Sequence, residues 1–250
     1  MFACNSEGEQ NSEPVPEAKP EIDYSKYPEN LQKVFEKHGG LEAWRKMNSL
    51  EFEMVKEAGN ETHIVHLKDR RGKAVGDNFQ IGYNGNELWH VTDTTYKGNP
   101  KFYHNLMFYF YAMPFVLADD GINYSETEPI VFKEKTYPGI KISYGDSVGV
   151  SPQDEYLLHY DPDSYQMTWL GYTATFFTQM KGKTFNWIRY DNWGDKNGLL
   201  LPNSITWYKV EEGQRTEPRS TRVFENVRIS ETPPADSVFA KKEGAESSSY

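Results

Sequence analysis

Residues 102–117 read FYHNLMFYFYAMPFVL, the longest strongly apolar run in the chain. At helical spacing its apolar side chains fall on two faces, one formed by Leu106, Phe110, Met113 and Leu117 and the other by Phe108, Tyr111 and Phe115. A helix that is apolar all round is surrounded by protein. Pro114 is expected to kink or break it, and Asp119-Asp120-Gly121 to end it. We call residues 102–117 the apolar segment; it is too short, and contains too much Tyr and Pro, to cross a membrane.

On both sides of the apolar segment the hydrophobic pattern alternates with a period of two, which is typical of β-strands. Four strands are predicted before it, at 50–57, 61–69, 76–83 and 87–93, and seven after it, at 122–134, 138–145, 154–161, 164–178, 183–192, 199–210 and 219–229. Turn signals such as Asn84-Gly85 join consecutive strands, so each strand is expected to pair with the next. The spacing leaves no room for the helices that a parallel sheet needs between its strands.

Two short helices are predicted ahead of the first strand. The first begins near Pro28 and places its apolar residues at i, i+3, i+4 and i+7, namely Leu31, Val34, Phe35 and His38. Gly39-Gly40 ends it with positive φ angles, and Leu41, Trp44 and Met47 mark the second. The predicted fold class is therefore α+β: a curved antiparallel sheet of about ten or eleven strands, an incomplete β-barrel, wrapped around a few helices that include an apolar central one.

The composition excludes several classes of protein. The net charge is -10 and the pI is near 5.2, so nucleic acid is not an expected partner and anionic lipid surfaces repel the chain. A single Cys excludes a disulfide framework and Cys-based zinc sites. Tyr, Phe and Trp make up 15% of the residues, which is typical of aromatic-packed sheets and of binding grooves that are apolar on one side and wet on the other.

The only Cys lies near the start of the chain, in Phe2-Ala3-Cys4-Asn5. This stretch, followed by a polar and acidic run, is similar to the end of a bacterial lipoprotein signal peptide, which implies acylation of Cys4 and attachment to a membrane through the acyl chains. The alternative is a free Cys in a disordered tail. We predict a lipoprotein N-terminus and tether at 1–23, one domain at 24–240 and a disordered tail at 241–250.

No stretch carries a recognisable catalytic or metal-binding motif, so the sequence predicts a protein without enzymatic activity, catalytic residues, cofactor or metal site. His63 and His66 lie three apart on a strand and so point to opposite faces, which favours a solvated strand edge over a metal site. His159 is expected on the face opposite Leu158 and Tyr160. His38 is expected to end a helix, where a cation is favourable.

The order of these motifs is similar to that of a known group of proteins. The opening His38-Gly39-Gly40-Leu41-Glu42-Ala43-Trp44, the strand pair Leu158–Pro162 and Trp169–Thr173, and the closing segment Val223–Ile229 followed by Pro233–Phe239 resemble those of an uncharacterised family of bacterial envelope lipoproteins. More broadly, the arrangement over about residues 27–240 resembles the LolA/LolB-like fold, the fold of outer-membrane lipoprotein sorting. That resemblance implies a half-barrel with a hydrophobic cavity for acyl chains, at the outer membrane of the cell envelope. This chain is longer and more acidic than a free carrier, and its own Cys4 is expected to be lipidated, which argues against a diffusing chaperone.

The leading hypothesis is a non-enzymatic lipoprotein that binds a lipid or other hydrophobic small molecule. Its predicted ligand-binding residues lie on the apolar segment and on inward strand faces: Tyr83, Trp89, Phe108, Tyr111, Phe115, Tyr160 and Trp169. Whether the cavity is open or filled by side chains stays undecided at this point. One alternative is an accessory subunit that docks on an outer-membrane protein complex through exposed aromatic anchors, namely Trp187, Tyr190, Trp193 and Trp207. Another is a hydrolase with a spatially assembled His/Asp site.

Overall fold

The structure, a computed structural model, describes residues 22–57, 59–144, 154–175 and 184–248. These ranges contain thirteen strands in one antiparallel sheet, ordered β13-β5-β4-β3-β2-β1-β12-β11-β10-β9-β8-β7-β6. The strands are β1 (Ser49–Val55), β2 (Glu61–His66), β3 (Gly72–Gly76), β4 (Phe79–Tyr83), β5 (Leu88–Thr92), β6 (Ile122–Phe132), β7 (Lys135–Tyr144), β8 (Glu155–Tyr160), β9 (Met167–Tyr172), β10 (Asn186–Lys196), β11 (Leu199–Glu211), β12 (Gln214–Ser230) and β13 (Glu246–Ser248).

The predicted pairing of consecutive strands holds on both sides of the apolar segment. The long strand β12 returns to pair with β1, for example Ser49 with Ser230, and so joins the two halves into one curved sheet. The sheet is not closed, because β13 and β6 form its two edges. The α+β class with a curved antiparallel sheet is confirmed, with thirteen strands in the described ranges rather than ten or eleven.

The two strands that the sequence pattern does not predict are β3 and β13. The predicted strand 76–83 corresponds to β4, and an additional strand, β3 (Gly72–Gly76), lies ahead of it and pairs with it around a turn at 77–78. Residues 246–248, within the predicted tail 241–250, form β13 and pair with β5. A polar composition hides this strand, since it lies at a sheet edge and needs only backbone hydrogen bonds to be held there.

The two predicted N-terminal helices are confirmed as α1 (Glu29–Lys37) and α2 (Leu41–Lys46). Gly39 and Gly40 have φ angles of 108° and 86°, which only glycine adopts without strain. A Cβ on Gly39 would lie 2.2 Å from the carbonyl oxygen of Gly198. The pair therefore ends α1 and also lets the chain pass directly against the turn between β10 and β11.

The apolar segment does not form one central helix. It contributes to three short pieces, α3 (Pro100–Tyr103), α4 (Leu106–Tyr111) and a 3-10 turn at Phe115–Ala118. The break expected at Pro114 is present, and a turn at 104–105 makes a second one. Three tyrosine hydroxyls donate to carbonyl oxygens of this region: Tyr190 to Phe110 at 2.8 Å, Tyr124 to Leu117 at 2.6 Å and Tyr27 to Ala118 at 3.2 Å. These bonds satisfy carbonyls that an unbroken helix would have paired internally.

We call the face of the sheet that contacts α1, α2 and the apolar segment the inner face, and its opposite the outer face. The main core fills the space between the inner face and the helices, and includes Leu31, Phe35, Phe108, Tyr111 and Ile188. Tyr111 and Phe115 have no solvent-accessible surface at all. Within the described ranges, the side chains beneath the apolar segment therefore pack against one another and are closed off from solvent.

A second, smaller core lies on the outer face and is made of Ile130, Phe132, Tyr137, Trp169 and Trp187. We call it the outer aromatic cluster. The end of the β6–β7 hairpin reaches over the sheet, so that the Phe132 ring lies 4.9 Å from that of Trp169 and 5.7 Å from that of Tyr208. The guanidinium of Arg189 covers the Phe132 ring at 5.0 Å. This region of the sheet is thus buried on both faces.

Candidate functional site

A cleft of about 850 Å³ opens where α2 faces the end of the apolar segment. It is lined by residues from several parts of the chain: Asp23, Lys26, Tyr27, Trp44, Arg45, Lys46, Met47, Asn48, Leu67, Lys68, Arg70, Phe115, Ala118, Asp119 and Asp120. We call it the rim cleft. The β2–β3 turn forms one wall, and α2 with the residues after it forms the other.

The floor of the rim cleft is apolar. The rings of Trp44 and Phe115 stack at 4.8 Å with an angle of 7° between their planes. Met47 and Leu67, exposed by 7% and 6%, complete the floor and belong to the main core. The floor of the cleft is therefore formed by side chains that also belong to the main core.

The rim of the cleft is charged. Arg70 donates from one nitrogen to both carboxylate oxygens of Asp119, at 2.6 and 2.7 Å, and its guanidinium lies 5.1 Å from the centre of the Phe108 ring. Burial raises the pKa of the Asp119 carboxyl, and the charge of Arg70 opposes that shift. Arg45 donates to the hydroxyl of Tyr27 at 3.2 Å. These contacts hold the end of the apolar segment to the β2–β3 turn and to α2.

The structure brings four of the seven predicted ligand-binding residues together. Phe108, Tyr111, Phe115 and Tyr160 all belong to the main core, and Phe115 also lines the rim cleft. The others lie elsewhere. Tyr83 packs against a separate small core around Phe79, Ile81 and Leu88, and its hydroxyl donates to the carbonyl of Gly85 at 2.9 Å.

Trp89 and Trp169 lie on the outer face, which corrects their expected inward orientation. Trp89 lies directly over Gly82 and donates from its indole nitrogen to the carbonyl of Phe239 at 2.9 Å. Trp169 is part of the outer aromatic cluster. In both strands a neighbouring residue, Leu88 or Leu170, faces inward instead. The hydrophobic pattern does not indicate which residue faces inward, because both faces of the sheet are covered in β5 and β9 and adjacent residues are both apolar.

The four aromatic residues predicted as exposed anchors are not exposed, so that expectation is wrong. Trp187, Tyr190 and Trp207 are buried, with Tyr190 only 1% exposed, and Trp193 is half-buried against it with ring centres 5.6 Å apart. Tyr190 and Trp207 face the main core, while Trp187 belongs to the outer aromatic cluster. The strands that carry them lie in the middle of the sheet and are covered by other elements.

The histidines are more buried than expected. His63 is not at a solvated edge but is 2% exposed and stacks on Phe52 at 4.9 Å. His66 does meet Asp69, with 2.9 Å between Nδ1 and Oδ1, because the strand ends at His66 and a turn brings Asp69 back. His159 lies on the outer face as expected, and is buried with Nδ1 3.2 Å from the carbonyl oxygen of Tyr137.

His38 ends α1 as predicted but is not a cation. It is fully buried, and burial lowers its pKa to about 4. The charged form would gain from the helix end only at exposed positions, where water still solvates it. The histidine is therefore neutral at physiological pH and acts as a hydrogen-bonding group of the core.

A buried polar cluster that the sequence analysis missed lies around Glu61. Its carboxylate accepts hydrogen bonds from Lys56 and from the hydroxyl of Tyr103, and Nε2 of His63 lies 3.5 Å away. Burial alone would raise the pKa of Glu61, but the contacts with His63, Lys56 and Tyr103 together hold it below its ordinary value. The sequence could have predicted the contact between Glu61 and His63, because residues two apart on a strand lie on the same face.

Within the described ranges, no group of three His, Cys, Asp or Glu side chains is arranged to hold a metal ion. Among the same residues, no helix combines the length and the apolar character that crossing a bilayer requires. Cys4, the predicted site of lipid attachment, lies outside the described residues.

Comparison with known proteins supports the fold. Residues 91–211 match the model of a family of unknown function (DUF6503), which is just under half of the chain. No curated protein sequence matches significantly. Among solved structures, a LolA superfamily protein from Nitrosomonas europaea shares 10% identity over 84% of this chain and 97% of its own, with a TM-score of 0.50. A DUF1329 family protein from Desulfovibrio piger shares 10% identity over 85% and 98%, with a TM-score of 0.53.

At this level of identity the likeness concerns the fold alone. The predicted resemblance to the LolA-like fold is confirmed by these structures, and the match to a family of unknown function agrees with it.

Proposed function

We propose that this protein is a non-enzymatic lipoprotein of the cell envelope that binds a lipid or other hydrophobic ligand at the rim cleft. The observation that carries the proposal is the apolar floor of the cleft, formed by Trp44, Met47, Leu67 and Phe115 beneath a charged rim. Its volume of about 850 Å³ falls within the range of roughly 300–1,000 Å³ that is usual for small-molecule pockets.

Because the side chains beneath the apolar segment are buried, a ligand is expected on the floor of the rim cleft rather than in the interior. An acyl chain lying on the floor contacts Met47 and Leu67 without displacing any core side chain, and each buried methylene contributes about 0.8 kcal/mol. Deeper entry requires the Trp44–Phe115 stack to part. Of the residues predicted as ligand contacts, Phe115 lies nearest to the cleft, but Phe108, Tyr111 and Phe115 are all buried and become accessible only in the second mode.

Membrane attachment and location form a separate part of the proposal. Acylation of Cys4 would tether the domain to the outer membrane, and the LolA-like fold supports an envelope location. We expect a Cys4→Ser variant, expressed behind a lipoprotein export signal in a bacterial host, to lose both its lipid-dependent mass increase and its fractionation with membranes. Membrane fractionation that persists in this variant would contradict the anchor without affecting the proposed ligand.

The accessory-subunit alternative has lost its main support, because the four proposed anchors are buried or half-buried. No observation in the described residues now favours docking on an outer-membrane complex over ligand binding. We therefore carry only the binding function forward.

A cleft-filling substitution tests the binding function. Ala118 lines the rim cleft, whereas Ala240 is exposed elsewhere on the surface. The uncharged fluorophore N-phenyl-1-naphthylamine is a suitable probe, since it reports transfer to an apolar site. We expect saturable binding to the unmodified protein, an affinity lower by about tenfold or more in Ala118→Phe because the ring occupies the floor, and no change in Ala240→Phe. Equal binding by all three proteins, or binding by none, would refute the proposal.

A further inference from the structure

We propose that the ligand of the rim cleft is an amphiphile with an anionic head group, held by Arg45, Lys46 and Lys26. This inference rests on the proposed binding function and specifies the class of ligand. It starts from the charge of the cleft, where five cationic side chains (Lys26, Arg45, Lys46, Lys68 and Arg70) meet three acidic ones (Asp23, Asp119 and Asp120). The chain as a whole has the opposite sign, with a net charge of -10.

Two of the three acidic side chains are already engaged. Asp119 is bound by Arg70 at 2.6 and 2.7 Å. Asp23 precedes the 3-10 turn at Tyr24–Lys26 and accepts hydrogen bonds from the amide and hydroxyl of Ser25, at 3.1 and 2.6 Å. Asp23 nevertheless keeps its negative charge and acts on Lys26, and Asp120 lies at the exposed end of the apolar segment, so the lining has an excess of two positive charges.

Within the described ranges, Lys26 in the 3-10 turn and Arg45 and Lys46 at the end of α2 form no close ion pair, although the charges of Asp23 and Glu42 act on them at longer range. Among the described residues, no carboxylate lies within 4 Å of the charged nitrogens of Lys26, Arg45 or Lys46, while ten other Lys and Arg residues make such contacts. Arg45 donates only one hydrogen bond to a side chain within that part of the chain, to the hydroxyl of Tyr27. The remaining guanidinium donors are free for carboxylate or phosphate oxygens, which they match in geometry.

The charged rim and the apolar floor of the cleft are adjacent, as the head group and the tail of an amphiphile are. Arg45 and Lys46 lie in the last turn of α2, and Met47 follows directly as part of the floor. Since Arg45, Met47 and Leu67 line the same cleft, we expect an amphiphile whose head group binds Arg45 to lay its tail on Met47 and Leu67. A small anion without a tail would contact only the charged rim. A neutral lipid would contact only the apolar floor.

A single molecule fits this site better than a membrane surface does. The cations line a concave cleft rather than a flat face, so a bilayer cannot reach the floor between them. The remainder of the chain is acidic and repels anionic bilayers. The test below therefore compares monomeric lipids with intact vesicles.

Two lysophospholipids with the same acyl chain provide the probes, lysophosphatidylglycerol as the anionic one and lysophosphatidylcholine as the zwitterionic one. Both are titrated below their micelle concentrations by isothermal calorimetry into the unmodified protein and into Arg45→Gln/Lys46→Gln. The control variant is Lys97→Gln/Lys242→Gln, which removes the same charge from exposed residues outside the cleft. Vesicles containing phosphatidylglycerol are tested by co-sedimentation.

We expect the anionic lipid to bind more tightly to the unmodified protein, and the cleft variant to weaken its binding by about tenfold, as two partly exposed charge contacts of about 0.7 kcal/mol each predict. Binding of lysophosphatidylcholine, and binding of either lipid to the control, should stay within about twofold. Equal affinity for both lipids that the cleft variant leaves unchanged would overturn the head-group inference while preserving the binding function. No binding of either lipid would overturn both, and binding to vesicles alone would replace the inference with surface docking.

Discussion

The amide N–H of Met167 donates a hydrogen bond to Nε2 of His38 at 3.1 Å. Because Nε2 must present a lone pair to accept it, the ring proton resides on Nδ1, which donates to the carbonyl oxygen of Leu200 at 3.2 Å. One neutral side chain thus links the end of α1 to β9 and β11. A second proton on the ring would turn the acceptor into a donor facing Met167 N–H.

We expect acid to destabilise the protein through its buried histidines. Burial lowers the pKa of His38, His104 and His159 to about 4, against 6.5 in the unfolded chain. The unfolded state therefore binds more protons between pH 6.5 and 4, and the stability present above pH 6.5 is lost as the pH falls through this window. Each histidine contributes a slope of up to about 1.4 kcal/mol per pH unit.

Urea unfolding at several pH values between 7.5 and 4 measures this slope. A His38→Phe variant, although less stable overall, should show a slope shallower by about 1.4 kcal/mol per pH unit. A Phe35→Leu variant, which weakens the core without removing a titratable group, is the control and should keep the slope of the unmodified protein. A slope that does not change in His38→Phe would contradict the neutral assignment.

Gly39 and Gly198 allow a comparison of conformational strain with steric contact. Both have positive φ, 108° and 81°, but a Cβ added to Gly39 would lie 2.2 Å from a backbone oxygen, whereas one added to Gly198 would meet nothing within 4 Å. Gly198→Ala should cost about 1–2 kcal/mol of the free energy of unfolding, and Gly39→Ala should cost at least twice as much. Chemical denaturation measures both, and similar costs would mean that the turn between β10 and β11 moves freely.

The Arg70–Asp119 pair is expected to stabilise the end of the apolar segment more than an exposed pair would. Its side chains are 23% and 36% exposed, compared with 49% and 61% for Lys209 and Glu217. A double-mutant cycle with Arg70→Gln and Asp119→Asn should give a coupling energy of about 1–2 kcal/mol, and the corresponding cycle at the exposed pair less than about 0.5 kcal/mol. Equal couplings would show that solvent screens both pairs alike.

Substitution in the outer aromatic cluster should separate stability from binding. Trp169 is fully buried against Phe132 and Tyr208, so Trp169→Ala should lower the free energy of unfolding by about 3–5 kcal/mol. Because it lies on the outer face, the affinity for N-phenyl-1-naphthylamine at a temperature where the variant is folded should not change. A large loss of affinity in folded protein would indicate that the ligand uses the outer face.

The sequence pattern predicts the strands well and their orientation poorly, for a physical reason. Period-two alternation identifies a strand with one wet face, as in β1, whose buried and half-buried residues alternate strictly. In β5 and β9 the outer face is covered too, by the segment around Phe239 and by the β6–β7 hairpin. Leu88 and Trp89 are then both buried, and the alternation that would indicate the inner face disappears.

The rim cleft could not be predicted from the sequence because its lining is distributed. Its residues come from positions 23–27, 44–48, 67–70 and 115–120, and no local spacing relates them. The excess of positive charge is likewise invisible in a chain that is acidic overall. What the sequence does contain is the pair Arg45-Lys46 immediately before the apolar Met47, a short amphiphilic pattern at the end of a predicted helix.

The hydroxyl bonds from Tyr27 to Ala118 and from Tyr190 to Phe110 span 91 and 80 residues of chain. Contacts so distant in sequence form only when a long loop of chain has been closed, which costs entropy. A chain that emerges from its N-terminus must hold its most hydrophobic stretch without these partners until the strand carrying Tyr190 has appeared. During synthesis, residues 102–117 therefore need another form of protection from aggregation until these partners are available.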